Sequence, residues 1–236
     1  MIGNGFVKLI NCMGEDLMVV NAARVSFNKT SSYNLVSIED NGIIYQDNRL
    51  KEKDAKLINY LAKHNHWTPF AHPHICFHIK APFPIRTQFF KHKVGFVENE
   101  VSRRYVDDPP EFFYPAWSYR PDGSLKQGAG DRMSDEDNNK AHYAYAHALD
   151  TCYDAYERLL EIGVAPEQAR MVLPMCTFTE WYWTGSLAAY ARFYNQRSSP
   201  HAQAEIREYA EEIGRICNEL FPVSWPALVN SPEESV

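Results

Sequence analysis

Residues 57–82, LINYLAKHNHWTPFAHPHICFHIKAP, change from a helical to a strand pattern and so decide the fold. Apolar residues recur on one face of a helix over residues 50–63, with Asp47 or Asn48 as its cap. The two prolines in HNHWTPFAHPH then end this helix. In HICFHIKA (74–81), apolar and polar side chains alternate, which predicts a strand that is buried on one face.

The rest of the chain supplies a second early strand and a series of helices. FVKLINCMG, near the start, predicts the first strand. Helices are expected at 85–94, from about 134 to 162, after Pro166, over the aromatic segment 178–196, and over 200–220. Prolines and glycines predict a mobile loop at 107–133, and 223–236 is expected to be a tail. We therefore predict an α+β fold in which a small early sheet packs with several long helices, as a single domain over residues 1–236.

The composition limits the classes of function. Hydrophobic residues make up 45% of the 236 residues and the formal net charge is −6, so a general nucleic-acid binder, which is normally basic, is disfavoured. No apolar run approaches the ~18 residues of a membrane span, and the start lacks the pattern of a signal peptide. The five cysteines are widely spaced, which favours reduced thiols. We expect a cytoplasmic protein with no membrane partner.

Histidines cluster between residues 64 and 78, at His64, His66, His72, His74 and His78. Neutral imidazoles bind Zn²⁺, so a histidine metal hydrolase is one possible interpretation. No aspartate or glutamate lies between Asp54 and Glu98, however, to complete such a site. Histidines that are hydrogen-bonded around a polar pocket or an interface are therefore the favoured interpretation, and we predict no metal.

Two basic segments are candidates for binding an anion. In KHKVGFVENEVSRRY (91–105), lysine and arginine are interleaved with aromatic and acidic residues, whereas a merely solvated helix face would not need that mixture. In RFYNQRSSPHAQAEI (192–206), a helix end meets a helix start, where backbone N–H groups favour anions. Arg170, between apolar residues, is either an ion-pair partner or a ligand clamp. A module that binds single-stranded nucleic acid through residues 86–105 is an alternative that the acidic net charge disfavours.

Together, these segments resemble the flavin-dependent thymidylate synthases. The resemblance covers most of the chain outside about 28–48 and 107–140. It is carried by five blocks in the family's order: NGFVKLINCMGEDLMVVNAARVSF, LINYLAKHNHWTPFAHPHICFHIKAP, Gln88 to Tyr105, GVAPEQARMVLP and NQRSSPHAQAEIREYA. The resemblance implies a homotetramer whose active sites draw on several subunits.

The chain departs from the family's signature, which is Arg-His-Arg, seven residues and then serine. Here the triplet is Lys91-His92-Lys93, and eight residues separate it from Ser102. Positive charge is retained, but the planar arginine forks are not. We place the extra residue between Gly95 and Asn99 and predict a bulged turn there.

Four further positions differ from the family's pattern. Ser186, Ala188 and Arg192 stand where asparagine, arginine and asparagine are usual, so the arginine has moved by one helical turn on the same face. Ala71 replaces a residue that is commonly acidic. The moved arginine is expected to reach the same ligand.

The resemblance implies transfer of a methylene group from methylenetetrahydrofolate to C5 of dUMP, with reduction through FAD by NADPH, giving dTMP and tetrahydrofolate. It implies that Arg197 is the catalytic cation. It assigns dUMP contacts to Gln88, Lys91, Glu100, Ser102, Arg103, Arg104 and Arg170. It assigns the FAD site to Thr68, His92, Lys93, Val94, Glu100, Ser186, Ala188, Arg192 and His201, and it places His66 and Tyr105 near flavin and folate. A related C5 alkylation, such as hydroxymethylation, or another nucleotide such as dCMP is the alternative.

Overall fold

A computed structural model describes residues 3–40, 43–106, 108–121, 123 and 128–229. The strands are β1 (Phe6–Met13), β2 (Asn34–Asp40), β3 (Ile43–Arg49), β4 (His74–Pro82), β5 (Phe96–Glu100) and β6 (Phe178–Ser186). The helices are α1 (Asp16–Arg24), α2 (Glu52–Lys63), α3 (Phe83–Phe89), α4 (Asp135–Glu161), α5 (Pro166–Ala169), α6 (Leu187–Arg197), α7 (Ala204–Leu220) and α8 (Ser224–Val229). Single 3₁₀ turns lie at Val25–Phe27, Thr68–Ala71 and Arg170–Val172. The predicted α+β class is confirmed.

The central sheet has four strands in the order β1-β4-β6-β5, and every pairing is antiparallel. Strand β4 is the half-buried strand that the alternation in HICFHIKA predicts, with Ile75, Phe77 and Ile79 fully buried. Strands β2 and β3 form a separate two-stranded sheet, which the sequence patterns did not indicate.

The aromatic helix predicted over 178–196 is wrong in its first half, because residues 178–186 form the interior strand β6. Trp181 and Trp183 face the core, and Tyr182 between them is 48% exposed, which is the two-residue period of a strand. A Cβ at Gly185 would lie 2.3 Å from the ring of Phe96, so glycine makes room for Phe96 to stack on Trp183 with ring centroids 3.9 Å apart. The sheet is therefore not confined to the early part of the chain.

One face of the central sheet packs against α6 and the helices around it. Phe89 of α3 lies between the two tryptophans of β6 and stacks on Phe193 of α6, with a centroid distance of 4.8 Å. The buried hydroxyl of Tyr190 donates to the Trp183 carbonyl over 2.7 Å. Such aromatic packing buries a large apolar area and holds the end of α3 against α6, which positions the residues that follow each helix.

Several predicted boundaries shift for identifiable reasons. Helix α2 begins at Glu52 after Lys51, not at Asp47 or Asn48, because β3 runs through both of those positions. Helix α3 ends at Phe89, before the predicted 94, since Gly95 has a φ of +84° and turns the chain into β5. Helix α7 begins at Ala204, and the predicted start at 200 lies in the connection that precedes it.

The segment predicted as a tail, 223–236, begins instead with helix α8. Trp225 is 3% exposed and packs its ring 5.3 Å from that of Tyr194. The buried Asp16 carboxylate accepts hydrogen bonds from the backbone N–H groups of Val223 and Ser224, at 2.9 and 2.8 Å. A carboxylate at a helix start is favourable, so these contacts secure α8. Residues 230–236 lie outside the described part of the chain.

A buried ion pair joins the end of α1 to α2. Asp54 is fully buried, and its carboxylate accepts hydrogen bonds from Arg24 and from the Ser31 hydroxyl. Burial alone would raise the pKa of Asp54, but the bonds from Ser31 and Arg24 outweigh it and hold this pKa below its ordinary value. The charge of Asp54 therefore depends on both partners remaining in place.

Segment 107–133 contains neither helix nor strand in its described residues. Two isolated bridges, Phe112 with Thr177 and Ser118 with Arg132, are its regular backbone pairings there. Residues 107, 122 and 124–127 lie outside the description, so the predicted mobility stays a prediction. Within the described ranges, no helix has the length and apolar character that a membrane crossing requires.

Candidate active site

Arg197, at the end of α6, meets the residues that follow α3. Its Nε donates to Nε2 of His92 over 2.9 Å, and its Nη2 lies 3.5 Å from the Gln88 carbonyl oxygen. The Gln88 amide in turn donates to the side-chain oxygen of Gln203 over 2.6 Å. The structure thus brings together three of the residues that the sequence singled out, from positions more than a hundred residues apart.

His92 acts in this cluster as a neutral acceptor. Burial, and then the charges of Arg197 and Arg192, lower the pKa of His92 from 6.5 to about 4. Nε2 is therefore free to accept from Arg197 at neutral pH, and the other ring nitrogen carries the proton. Burial also lowers the pKa of Arg197, but an arginine side chain remains charged. The result is a fixed cation with one side of its guanidinium held by the protein.

A cavity of about 1080 Å³ opens beside this cation. Its walls combine Arg197 and His201 with apolar residues at the start of α3, such as Ile85, and with parts of the predicted loop, including Trp117. Cavities of this size, largely apolar and lined by a few polar groups, are typical of small-molecule sites. The residues after α6 and the loop therefore form one recess around Arg197.

The turn between α3 and β5 lies against the start of α6. Arg192 donates to the Val94 carbonyl over 2.7 Å, and Ser186 caps α6 by accepting from the N–H of Ala189. A Cβ at Gly95 would lie 3.0 Å from the Cβ of Ala189, so this close approach needs glycine. Most residues assigned to flavin thus surround one turn, although Ala188 is only 8% exposed.

The bulge predicted between Gly95 and Asn99 is wrong. Residues 96–100 pair one for one with residues 185–181 of β6, without a shift in register. The chain reverses earlier, at Gly95, which adopts the left-handed conformation. The extra residue is therefore absorbed outside β5.

Glu100 has partners within the chain for both carboxylate oxygens. Arg86 of α3 pairs with one oxygen, and the Thr179 hydroxyl donates to the other over 2.9 Å. Lys93 likewise pairs with Glu98. These contacts hold β5 to α3 and to β6, and the predicted contacts of Glu100 with dUMP and FAD stay predictions.

The segment after β5 carries polar groups at the surface. Ser102 accepts hydrogen bonds from the backbone N–H and from Nε of Arg104, at 3.4 and 3.3 Å. The Arg104 guanidinium lies 5.0 Å from the ring centre of Tyr105, which is 79% exposed, and Arg103 donates to the Asp108 carbonyl. Lys91 is also exposed. Arg104 after β5 and Lys91 before it thus present cations to solvent.

Three other predicted residues are outside this cluster. Arg170 is exposed and donates to the Glu167 carbonyl at 3.2 Å. Thr68 and His66 are exposed between α2 and β4, and the rings of His66 and His64 lie 6.3 Å apart. In the residues that the structure describes, no three histidine, cysteine, aspartate or glutamate side chains are arranged to hold a metal ion.

Sequence reasoning did not assign Arg86 or Thr179 to the site. Arg86 and Phe90 are four residues apart, which is the spacing of a stacked pair on one helix, but that signal is weak. Thr179 belongs to the segment predicted as a helix, so its contact with Glu100 across the sheet could not be predicted. Gln203 lies in the candidate anion-binding segment 192–206, but the sequence did not indicate its contact with Gln88.

We expect His92 to make stability depend on pH between about 6.5 and 4. Its pKa is lowered by folding, so in this window the unfolded chain binds a proton that the folded protein does not, and the folded state loses stability as the pH falls. The measurement is the free energy of unfolding in urea against pH, for the wild type and for His92→Gln. The variant should show a shallower slope, with His66→Gln, an exposed histidine, as the control. Equal slopes in His92→Gln and the wild type would contradict the neutral acceptor.

A protein-family model described as "Thymidylate synthase complementing protein" matches residues 8–223. A flavin-dependent thymidylate synthase of Thermosipho africanus is 37% identical over 229 residues, which are 97% of this chain and 92% of that protein. One from Thermus thermophilus is 36% identical over 227 residues, which are 96% of this chain and 76% of that protein. The matched region therefore includes both candidate anion-binding segments.

Among solved structures, the fold is similar to a UMP/dUMP methylase, PolB, from Streptomyces cacaoi, bound with 5-Br UMP. The TM-score is 0.79 at 26% identity, and the match covers 97% of each chain. A second structure of that methylase, with 5-Br dUMP, gives a TM-score of 0.74 at 27% identity, covering 98% of this chain and 99% of that one.

Proposed function

Because this chain belongs to the flavin-dependent thymidylate synthase family, we propose that it transfers a methylene group from methylenetetrahydrofolate to C5 of dUMP. FAD would carry the reducing equivalents that NADPH supplies, and the products would be dTMP and tetrahydrofolate. The family and the methylase neighbours support a flavin-dependent methyltransferase that acts on a uracil nucleotide. The observation that carries the proposal is the Arg197 cation, held by neutral His92 at the edge of the cavity.

Arg197 supplies what the pyrimidine needs for reaction at C5. Uracil C5 is a poor nucleophile, and loss of the N3 proton to solvent moves electron density into the ring toward C5. A preorganised cation stabilises the negative charge that develops on the ring, at no cost of reorientation. The contact from Nη2 to the Gln88 carbonyl is at the long limit for a hydrogen bond, so a substrate oxygen readily replaces it.

The turn at 92–95 suits a flavin. When bound, FAD supplies the hydride-carrying chemistry that side chains lack. Val94 is 73% exposed beside the fixed guanidinium of Arg192, so an apolar surface and a cation lie side by side. FAD needs both, because its planar ring system packs on an apolar surface and its phosphates pair with cations. Lys91 and Lys93 would bind phosphate as point charges instead of as arginine forks.

A homotetramer would explain how the separate clusters form one site. In the part of the chain that is described, no hydrogen bond or ion pair joins Arg197 to Arg170 or to Ser102. On the outer face of the central sheet, Val97 and Tyr182 are 68% and 48% exposed. Patches of this kind mark interaction surfaces, so neighbouring copies would bring Ser102–Tyr105 to the nucleotide.

UMP is a second candidate substrate. The observation that favours it is the similarity to a UMP/dUMP methylase. The two nucleotides differ in the 2′-hydroxyl group, so relative turnover with dUMP and UMP decides between them. Hydroxymethylation of the same carbon is the alternative reaction.

The proposal is tested by the visible spectrum of the purified protein and by NADPH oxidation. We expect yellow protein with the absorption of bound flavin, and faster oxidation of NADPH when dUMP is added. UMP and deoxyuridine are the comparison ligands, since each differs from dUMP by one group. Colourless protein that takes up no added FAD would contradict the proposal.

A further inference from the structure

The end of strand β5 is tied to the rest of the molecule by Glu100. One carboxylate oxygen pairs with Nη2 of Arg86, and the other accepts from the Thr179 hydroxyl at 2.9 Å. The Arg86 and Glu100 side chains are 25% and 19% exposed, so water screens this pair less than it does a surface pair. Glu100 therefore links β5, α3 and β6 at one point.

Arg86 is itself held in place by aromatic stacking. Its guanidinium carbon lies 4.2 Å from the ring centre of Phe90 and 5.7 Å from that of Phe83. Stacking of a guanidinium on an aromatic face fixes its orientation. Arg86 also lies two residues before Gln88, whose carbonyl contacts Arg197. The same short helix thus carries the tie to β5 and part of the cluster around the catalytic cation.

Few contacts continue beyond Glu100. Strand β5 is at the edge of the sheet and, among the described strands, pairs with β6 alone. The bond from the Val101 N–H to the Glu180 carbonyl, at 2.8 Å, extends that pairing by one residue. The polar contacts of Ser102 that follow are made with Arg104, inside the segment. An edge strand with an exposed continuation opens at low cost in free energy. Arg103 also donates to the Asp108 carbonyl, which follows in the chain, but Glu100 is the residue that ties the start of Ser102–Tyr105 to α3 and to β6.

We propose that Arg86 is a positioning residue for nucleotide binding, which acts by pairing with Glu100 and so holds Ser102–Tyr105 in its binding conformation. The identity of the ligand, dUMP, rests on the proposed function, whereas the contact between Arg86 and Glu100 does not depend on it. The pair also gives Glu100 a role that differs from direct contact with the nucleotide.

The test compares dUMP affinity and steady-state kinetics of flavin-loaded variants. In Arg86→Gln we expect about a tenfold rise in the Kd and KM for dUMP, with kcat within about twofold and flavin content unchanged. Arg86→Lys, which keeps the charge, should recover part of the affinity. The double variant Arg86→Gln/Glu100→Gln should bind dUMP no more weakly than the weaker-binding single variant, because both substitutions remove the same interaction. Arg215→Gln, which breaks exposed ion pairs with Glu212 and Glu219 on α7, is the matched control.

Thr179→Val provides a second route to the answer if Arg86→Gln does not fold. It removes only the other bond to Glu100 and should weaken dUMP binding in the same direction. Variants with full flavin and wild-type dUMP affinity would overturn the inference about Arg86 and leave the proposed function intact. A wild-type protein that binds flavin but no pyrimidine nucleotide would overturn both.

Discussion

Replacing Arg197 with alanine should lower kcat by about 10²–10³-fold, which is the loss seen when a preorganised charge-stabilising donor is removed. The side chain is held at its Nε by His92, so its position toward a substrate needs no adjustment during the reaction. Flavin should stay bound, because the substitution leaves intact the bond from Arg192 to the Val94 carbonyl in the proposed flavin turn. The measurement is single-turnover formation of product with saturating dUMP, together with the flavin absorption of the variant.

Arg215→Ala is the matched control for this loss. Arg215 is an exposed arginine on α7 whose partners, Glu212 and Glu219, belong to the same helix. Such exposed pairs contribute little, and its removal should leave kcat unchanged. If Arg197→Ala keeps the wild-type turnover number, the assignment of Arg197 as the catalytic cation is wrong.

Replacing Asp54 with alanine should lower the free energy of unfolding by about 3–5 kcal/mol. The side chain is fully buried, and its removal leaves the Arg24 guanidinium and the Ser31 hydroxyl without their acceptor. The cost of an unpaired charge exceeds what the pair itself contributes to stability. Urea unfolding of the two proteins at neutral pH gives the difference.

The exposed ion pair between Asp47 and Arg49 offers the comparison. Their side chains are 41% and 59% exposed, so Asp47→Ala should cost less than about 1 kcal/mol. A loss in Asp54→Ala no larger than that in Asp47→Ala would show that the buried pair does not hold α1 to α2.

Local patterns predicted some elements well and failed where two patterns overlap. HICFHIKA alternates clearly, and it is strand β4. FTEWYWTGS also alternates, but it runs directly into the helical pattern of LAAYARFYNQR, and the aromatic content of both made them read as one helix. The strand is decided by its neighbours, since β4 and β5 hydrogen-bond to both of its edges. These pairings join residues that are far apart in the sequence, so a local pattern does not reveal them.

The candidate site was predictable as a set of residues but not as a set of contacts. The sequence identified Gln88, His92 and Arg197. It did not show that His92 accepts a hydrogen bond from Arg197, because that bond depends on how α3 and α6 pack around Phe89 and Phe193. The sequence did not indicate Arg86, because its proposed role depends on a pair with Glu100 of β5, which in turn bonds to Thr179 of β6. Side-chain pairs of this kind follow from the tertiary structure and leave no pattern along the chain.

The mass of the nucleotide formed from dUMP tests the central claim most directly. The flavin-loaded protein is incubated with dUMP, methylenetetrahydrofolate and NADPH, and each of these is omitted in turn. The account predicts a product that is heavier than dUMP by one methylene group and matches dTMP, and that requires all three reactants. A hydroxymethylated nucleotide, or unchanged dUMP with flavin bound, would contradict it.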